Sequence, residues 1–367
     1  MTSICLALIV KDEEQVIARC IESIRDLIDY WVICDTGSTD GTRARAQNAL
    51  RDIPGEWHER PWVDFGHNRS ELMALARGKA DYLLLLDADE TLTWTAGVKA
   101  KLAADAYTIV HRHPEEQWTN QKLVRGDIAW RYVGAAHELL RAPRKIHTEF
   151  LPDVVINVHV DRSERAPKLR RNLELLLREL GTDPHNERTR FYVAETYRDL
   201  FYQDDPSGNP DHATNAITEY RARIEQGGDS ETLAYCLFNV AVLTADALDD
   251  WPAAMASFVE AWELFPDRLE PLYELVKRMR MKGQVNTAYA LVRPALEIER
   301  PSGGLFVRTW VYDWGIHVEH ALLAGLAGDT AAALAATESL LANPTFPAEH
   351  SAAFEQMRQS LEALGPS

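Results

Sequence analysis

The chain is short of cysteine and of basic residues, and it has no long apolar run. Its four cysteines (Cys5, Cys20, Cys34 and Cys236), among 367 residues, show neither CxxC pairing nor the His spacing of a zinc site. Three of them fall in stretches that read as buried strand or helix, which predicts reduced core thiols and a reducing compartment. Lys and Arg number 39 against 56 Asp and Glu, a formal net charge of −17. So acidic a chain is a poor general binder of phosphate backbones, which excludes nucleic acid as a partner. One small site with a few donors and a cation can still hold a nucleotide. The opening apolar stretch Ile4–Val10 lacks a basic leader and meets Lys11-Asp12-Glu13-Glu14 at once. A signal peptide or a membrane span needs a longer run. None occurs elsewhere, so a cytoplasmic protein with no membrane span is expected. With 46% hydrophobic and 26% charged residues, the composition is that of a folded protein, and the length suits two domains.

The first 160 or so residues alternate short apolar runs with helical patterns. Ile4–Val10 is continuous, as a strand covered on both faces would be. Val16, Cys20, Ile24 and Leu27 recur at helical spacing through Glu13–Leu27. Trp31–Cys34 predicts a second strand ending at Asp35, followed by turn chemistry and a helix through Arg45 and Leu50. Glu56–Arg60 reads as a third strand, His67–Ala76 as a helix, and Tyr82–Leu86 as a fourth strand ending at Asp87. Strands and helices alternating in this way give a parallel sheet with helices on both faces. From Ala106 the segments shorten: Tyr107–Arg112, Gln121–Arg125, Ala129–Val133, Glu138–Arg141 and Val154–Val160 read as antiparallel strands appended to that sheet.

A helix begins near Ala166, and beyond it the pattern is almost wholly helical. Ala216-Ile217 precedes Tyr220, Ala253-Ala254 precedes Phe258, and Ala288-Tyr289 precedes Val292. The spacings, 38 between Ala216 and Ala254 and 34 between Ala254 and Ala288, are those of tetratricopeptide-like helical hairpins. Asp204–Pro210 reads as an inserted loop. The expected division is an α/β domain over 1–165 and an all-α helical-repeat domain over 166–367. Residues 1–160 carry 19 basic against 24 acidic side chains, the remainder 20 against 32, so the helical half holds most of the negative charge.

The chemistry concentrates at strand ends. Ligands of open parallel sheets sit outside the carboxyl ends of the strands, where Asp35 ends the second strand and Asp87-Ala88-Asp89-Glu90 the fourth. Carboxylates gathered there repel unless donors or a cation compensate them, so a divalent metal is expected. Alternate side chains of an extended Asp-x-Asp segment point to opposite sides, so one can face the metal and the other a different part of the ligand.

Asp35-Thr36-Gly37-Ser38-Thr39-Asp40-Gly41-Thr42, followed by Asp87-Ala88-Asp89-Glu90, resembles the family 2 glycosyltransferases of the GT-A fold. The likeness covers roughly the first 160 residues, and it rests on the order and separation of the motifs more than on either alone. It implies that Asp35 binds the nucleobase of a nucleoside-diphosphate sugar, with uracil the base by analogy. Asp87 would hold the ribose or contribute to the metal, and Asp89 would ligate Mn²⁺ or Mg²⁺ at the diphosphate. Ala88, Lys11 and Glu13 are grouped with the nucleotide contacts, and Arg69 resembles the basic residue that such enzymes aim at the nucleotide. Glu138 in Gly134-Ala135-Ala136-His137-Glu138 is the expected general base. Similar enzymes often carry Glu-Asp here, so His-Glu leaves open whether His137 shares that role. His159 matches a late metal ligand of GT-A enzymes, a better partner for Mn²⁺ than for Mg²⁺. The resemblance implies inversion at the anomeric carbon.

Each role has a structural rival. Asp40 and Ser38 can cap the following helix, Asp35 can form an Asx turn, and Glu13 can favour a helix N-terminus. Asp87 and Asp89 can be solvated loop acids. Arg69 can form a surface salt bridge, Glu138 a cross-strand ion pair, and His159 can be a satisfied strand histidine. Trp62, Trp118, Trp130 and Tyr132 can stack on sugars or simply pack. Helical solenoids hold extended peptides and also mediate dimerisation, which leaves a homodimer open. Glycosyltransferases that modify bacteriocin peptides on cysteine pair similar domains, making a peptide or protein side chain the preferred acceptor. The alternatives are a saccharide or lipid-linked glycan, or a non-catalytic repeat scaffold with a relic sugar-nucleotide domain. A nucleotidyltransferase would carry a Gly-rich basic loop where Lys11-Asp12-Glu13-Glu14 stands.

Overall fold

The computed structural model describes residues 2–112, 117–159, 165–203, 210–301 and 305–364. Two units separate, Met1–Thr182 and Asp183–Ser367. The first is built on strands β1 (Ile4–Val10), β2 (Tyr30–Asp35), β3 (Gly55–Glu59) and β4 (Tyr82–Leu86), linked by helices α1 (Ile17–Ile24), α2 (Thr42–Ala49) and α3 (Phe65–Ala76). β1 runs parallel to both β2 and β4, and β2 parallel to β3. Strand alternation explains the unbroken apolar run of β1. Ile4, Leu6, Leu8 and Val10 pack with Ile17, Cys20, Ile21 and Ile24 of α1 on one face. Cys5 and Ala7 pack with Leu72, Met73 and Ala76 of α3 on the other. Each such large side chain removed from water contributes roughly 1.5–3 kcal/mol.

The later strands are β5 (Glu90–Trp94), β6 (Ala106–Arg112), β7 (Gln117–Arg125), β8 (Arg131–Val133), β9 (Leu139–Arg141) and β10 (Thr148–Val158). The large sheet has the order β3-β2-β1-β4-β7-β6-β10-β5, and β8 pairs only with β9. β7 is antiparallel to β4 and β6, and β10 is antiparallel to β5 but parallel to β6. This is the mixed sheet expected of a GT-A fold. β5 is a strand that sequence reading passed over: four acidic or small residues hide its start, although Thr91, Leu92, Thr93 and Trp94 have strand character. Val160, the expected end of the last strand, lies outside the described residues.

The helix α4 (Arg165–Thr182) closes the first unit, whereas the expected boundary at 165/166 falls at its start. Leu176 is buried, and Glu179 accepts a hydrogen bond from the Ala135 amide at 3.2 Å, tying α4 to the turn that precedes β9. The second unit comprises α5 (Glu187–Gln203), α6 (Pro210–Glu225), α7 (Ser230–Ala247), α8 (Trp251–Leu264), α9 (Leu269–Met281), α10 (Val285–Ala295), α11 (Ile316–Ala327), α12 (Thr330–Ala342) and α13 (Ala348–Leu364). Successive helices from α5 to α10, and from α11 to α13, pack against one another. The recurring phrases fall on second helices: Ala216 and Tyr220, Ala254 and Phe258, Ala288 and Val292 are all fully buried. Ala333 and Thr337 take the same places in α12, a further hairpin concealed by a threonine where the others carry larger side chains. Asp229, Asp250 and Asp329 cap α7, α8 and α12 by accepting from amides three residues on. Residues 204–209 of the expected inserted loop lie outside the described residues. Among those described, no helix is long and apolar enough to cross a membrane. All four cysteines are buried and unbridged; burial pushes the Cys5 and Cys236 thiols up to about 12.

Candidate active site

The strand order reverses between β1 and β4, so the carboxyl ends of β1, β2 and β4 open a crevice at a topological switch point. The register pairs Val10 with Asp35 and Leu8 with Leu86, which brings Asp35 and the Asp87 segment to one rim. Two loops there are zipped together. The Asp12 amide donates to Ser38 Oγ at 3.0 Å, Thr39 N to Asp12 Oδ1 at 2.7 Å, Glu13 N to Thr42 Oγ1 at 2.7 Å and Glu14 N to Asp40 Oδ2 at 3.1 Å. Ser38 and Asp40 therefore lock the first two βα loops to each other, and Asp40 Oδ1 also accepts from the amide of Thr42, the first residue of α2, at 3.0 Å. Asp35 is buried, and its Oδ1 accepts from the amides of Gly37 at 3.0 Å and Ser38 at 2.8 Å, an Asx-type turn. Ala88 is buried in the core against β1 and α1, and Lys11 is exposed.

Asp87 and Asp89 sit in opposite electrostatic surroundings. Asp87 Oδ1 accepts from Arg69 Nη2 at 2.5 Å, and Lys122 Nζ lies 3.4 Å from Oδ2. Burial opposes its charge, but Arg69 and then Lys122 hold the carboxyl well below the usual carboxylate range. Asp89 has Lys168 Nζ at 3.9 Å, and burial followed by the charge of Asp87 pushes its pKa up. Glu13 is raised in the same way, by burial first and Asp89 next, and Lys168 offsets part of the repulsion at both acids.

Arg69 is the hub. Its Nε lies 2.9 Å from Glu138 Oε1, although the buried N–H is not aimed along that line. Its guanidinium stands 5.7 Å from the Tyr132 ring centre and 6.0 Å from that of Phe65. The side chain predicted to face the nucleotide joins Asp87 to Glu138 here. Glu138 follows a turn with two left-handed residues, Gly134 at φ +108° and His137 at φ +51°, a conformation that is uncommon for His. His137 is exposed, whereas the Glu138 side chain keeps 11% of its surface. Gly66 permits this arrangement, because a Cβ there would stand 2.2 Å from the Gly134 carbonyl oxygen.

Sequence reading missed Lys122 and gave Glu90, part of its Asp87–Glu90 segment, no role of its own. Lys122 is buried in β7 with its ammonium 3.4 Å from both Asp87 and Glu90, and Glu90 Oε2 accepts from the Asp87 amide at 3.0 Å. The available signal was a lone lysine beside Leu123 and Val124. Of the aromatics, Trp130 is buried and donates to the Arg125 carbonyl at 2.8 Å; it belongs to the core. Trp118 stacks on His111, with ring centres 5.4 Å apart. Trp62 meets Phe65 edge-on at 4.9 Å under the Arg171 guanidinium.

A divalent cation fits part of this set. No group of three or more His, Cys, Asp or Glu is gathered for a metal among the described residues, so an all-protein cage is not formed. Cations that bind substrate phosphates need only one or two protein ligands. Val158 pairs with Glu90 at the end of the antiparallel β10–β5 register; His159 follows directly, close enough for the charge of Asp89 to act on its ring. His159 Nε2 lies 2.9 Å from Thr91 Oγ1, and burial, then Arg19, lowers its pKa, favouring the neutral ring that a metal needs. Asp87, whose two oxygens both face cations, is the poorer ligand.

Residues 5–102 match the sequence model of Glycosyl transferase family 2, a span that includes Asp35, Arg69 and Asp87–Glu90 but not Glu138 or His159. A TPR repeat-containing protein of Synechococcus elongatus is 32% identical over 121 residues, covering 31% of this chain and 28% of that protein. The chain thus spans under a third of the curated relative it matches. Residues 1–349 of TarS from S. aureus superpose with a TM-score of 0.39 at 12% identity, over 71% of this chain and 91% of that one. Glucosyl-3-phosphoglycerate synthase from Mycobacterium tuberculosis, solved with Mn²⁺, UDP and glucosyl-3-phosphoglycerate, aligns at 24% identity and a TM-score of 0.21, over 24% of this chain and 34% of that one.

Proposed function

We propose that this chain, whose N-terminal unit carries a glycosyl transferase family 2 segment, moves a sugar from a nucleoside-diphosphate sugar, a UDP-sugar, to a peptide or protein side chain. The observation that carries this reading is the gathering of Asp35, Asp87 and Asp89 at one rim, with Glu138 linked to Asp87 through Arg69. Asp35 keeps Oδ2 for the base, since Oδ1 serves its own turn, and Asp87 meets the ribose. Asp89 and His159 would hold Mn²⁺ or Mg²⁺, which when bound neutralises the charge of the diphosphate.

Glu138 accepts the proton of the acceptor's hydroxyl or thiol as that atom bonds to the anomeric carbon. The bond from that carbon to the diphosphate oxygen breaks in the same displacement, the nucleoside diphosphate leaves with the electron pair, and the configuration inverts. Arg69 fixes the base relative to Asp87, which makes it a positioning residue. His137, exposed beside the turn, serves the geometry of that turn and not the proton transfer. The helical unit offers the acceptor a binding surface of its own.

The test is thermal melting of the full chain with UDP, GDP and TDP, with and without Mn²⁺, followed by weighing the products of candidate peptides and free sugars incubated with donor. A nucleotide at 100 times its Kd adds about 2.7 kcal/mol to stability, which is read as a Mn²⁺-dependent rise in Tm. Asp89→Asn is expected to abolish the metal-dependent part. Its full retention would show that the cation lies elsewhere, and products made only from free sugars would overturn the acceptor.

A further inference from the structure

Helix α4 does more than close the first unit. Leu175 and Leu176 are buried, and Glu179 accepts from the Ala135 amide, so its middle and end are fixed on the sheet unit. Lys168, Arg171 and Leu175 follow one another at i, i+3 and i+7, a single stripe of the helix. The two cations therefore lie on the same side as the buried leucine, yet both are exposed. They stand ahead of Glu174, the first acid of α4, which is the reverse of the charge order that the helix dipole favours. Helix stability alone does not account for their placement.

The pair reaches the crevice. Lys168 Nζ lies 3.9 Å from Asp89 Oδ2, beyond hydrogen-bond distance, and its charge acts on Glu13 as well. The Arg171 guanidinium stands 5.1 Å from the Phe65 ring centre and 5.9 Å from that of Trp62. Arg69 shares the Phe65 ring at 6.0 Å and faces Glu138 through its Nε, so one aromatic ring links Arg171 to the cation that holds the base. Glu13 is the carboxylate whose charge reaches Arg171. No acid among the described residues stands within ion-pair distance of it. A guanidinium seated on rings keeps its fork of N–H donors directed in its own plane, and here that fork has no carboxylate to grip.

The cations on the sheet side are already engaged: Arg69 by Asp87 and Glu138, Lys122 by Asp87 and Glu90. Those of α4 are not. With a formal net charge of −17 the chain repels an anion at long range, so only a local group of cations holds one. We infer that Lys168 and Arg171 form an oxyanion-binding arm over the crevice, which takes a phosphate or carboxylate group of a substrate lying between Asp89 and Glu138. Two sources supply that chemistry, the diphosphate of the donor and an acidic residue beside the modified side chain of a peptide acceptor. Bidentate, charge-assisted bonding suits either one. The inference rests on the transferase reading for what enters the crevice, but its test requires no sugar transfer.

The test is isothermal titration of the full-length protein with uridine, UMP and UDP, each with and without Mn²⁺. The double variant Lys168→Met/Arg171→Met replaces two exposed side chains and is expected to keep its affinity for uridine. Its preference for UDP over uridine is expected to fall about tenfold for each charge-assisted hydrogen bond lost. A second titration, followed by anisotropy, compares the end-capped, fluorescein-labelled peptide Gly-Asp-Ser-Asp-Gly-Ala with its Asn counterpart. A fall in the preference for UDP assigns the oxyanion to the donor. A fall only in the preference for the acidic peptide assigns it to the acceptor. No change in either preference, or an equal loss of uridine binding, overturns the inference. Should the variant fail to fold, the Nε–H resonance of Arg171 in the unaltered chain decides. A shift on saturation with UDP or acidic peptide supports the arm, and none refutes it. An unaltered chain that binds no nucleotide defeats the transferase reading, and the peptide comparison then decides alone.

Discussion

Each unit buries a network of charges, and the two are finished differently. In the helical unit Arg198 reaches Glu195 at 2.9 Å, Asp199 and the Tyr235 hydroxyl at 2.7 Å each, and Asn239 Oδ1 at 3.2 Å. Tyr220 and Tyr235 also donate to Glu195. These groups satisfy one another. In the sheet unit, Arg69 Nε and both ring nitrogens of His111 are buried without a well-aimed partner, and the cation beside Asp89 among the described residues, Lys168, stands 3.9 Å away. Satisfied buried networks specify a fold, whereas a network with spare donors and acceptors beside an opening has room for a ligand. The difference teaches where substitution should cost stability and where it should cost activity.

Glu138→Gln tests the activity side with the largest expected effect. Removing a general base lowers kcat about 10²–10⁴-fold, while the Mn²⁺–UDP melting shift should persist. Unchanged turnover would remove Glu138 from the chemistry. On the stability side, Arg198→Met leaves Glu195 buried without its cation and should cost about 3–5 kcal/mol in urea unfolding, with donor binding at the sheet unaltered. Lys122→Met takes one of two cations from Asp87 and should raise KM for the donor on the order of tenfold, about 1.4 kcal/mol. A loss confined to Tm would place Lys122 with Arg198 as a purely structural charge.

The smallest effect concerns pH. The Glu56 carboxyl is held at about 2, below its ordinary 4.5, chiefly by hydrogen bonds from Lys79 and Tyr30. Because the folded-state pKa is the lower one, the stabilisation is complete above about pH 4.5 and disappears as pH falls toward 2. Glu56→Gln should flatten the Tm profile in that window by less than about 1 kcal/mol, since the pair is partly exposed. A profile that stays as steep would assign acid lability to other groups.

Much of the sheet was legible because its signals are local. β1 and β4 coincide with the apolar runs Ile4–Val10 and Tyr82–Leu86, since strands buried on both faces have no polar alternation to blur their ends. Strand ends then located Asp35 and Asp87–Asp89 without knowledge of packing. The pairing of those acids was not legible. Arg69 and Glu138 were named through the resemblance and Lys122 not at all, and the three, from α3, the turn before β9 and β7, converge only through long-range pairing, about which spacing is silent. The repeats showed the same division: a small residue followed four positions on by a larger apolar one marked α6, α8 and α10, while α12, with Thr337 in the place of Tyr220, Phe258 and Val292, went unseen.

The pairing of β10 with β5 bears on how this scaffold tolerates change. Side-chain direction alternates with every residue of a strand, so a single codon inserted between Val154 and His159 would turn the imidazole away from Thr91, which it now meets at 2.9 Å. Two inserted codons would restore the side yet carry the ring about 7 Å along the strand. Length variation among descendants of this chain should therefore gather in the segments joining β5 to β10, and the rungs from Trp94–Val154 to Glu90–Val158 should keep their count.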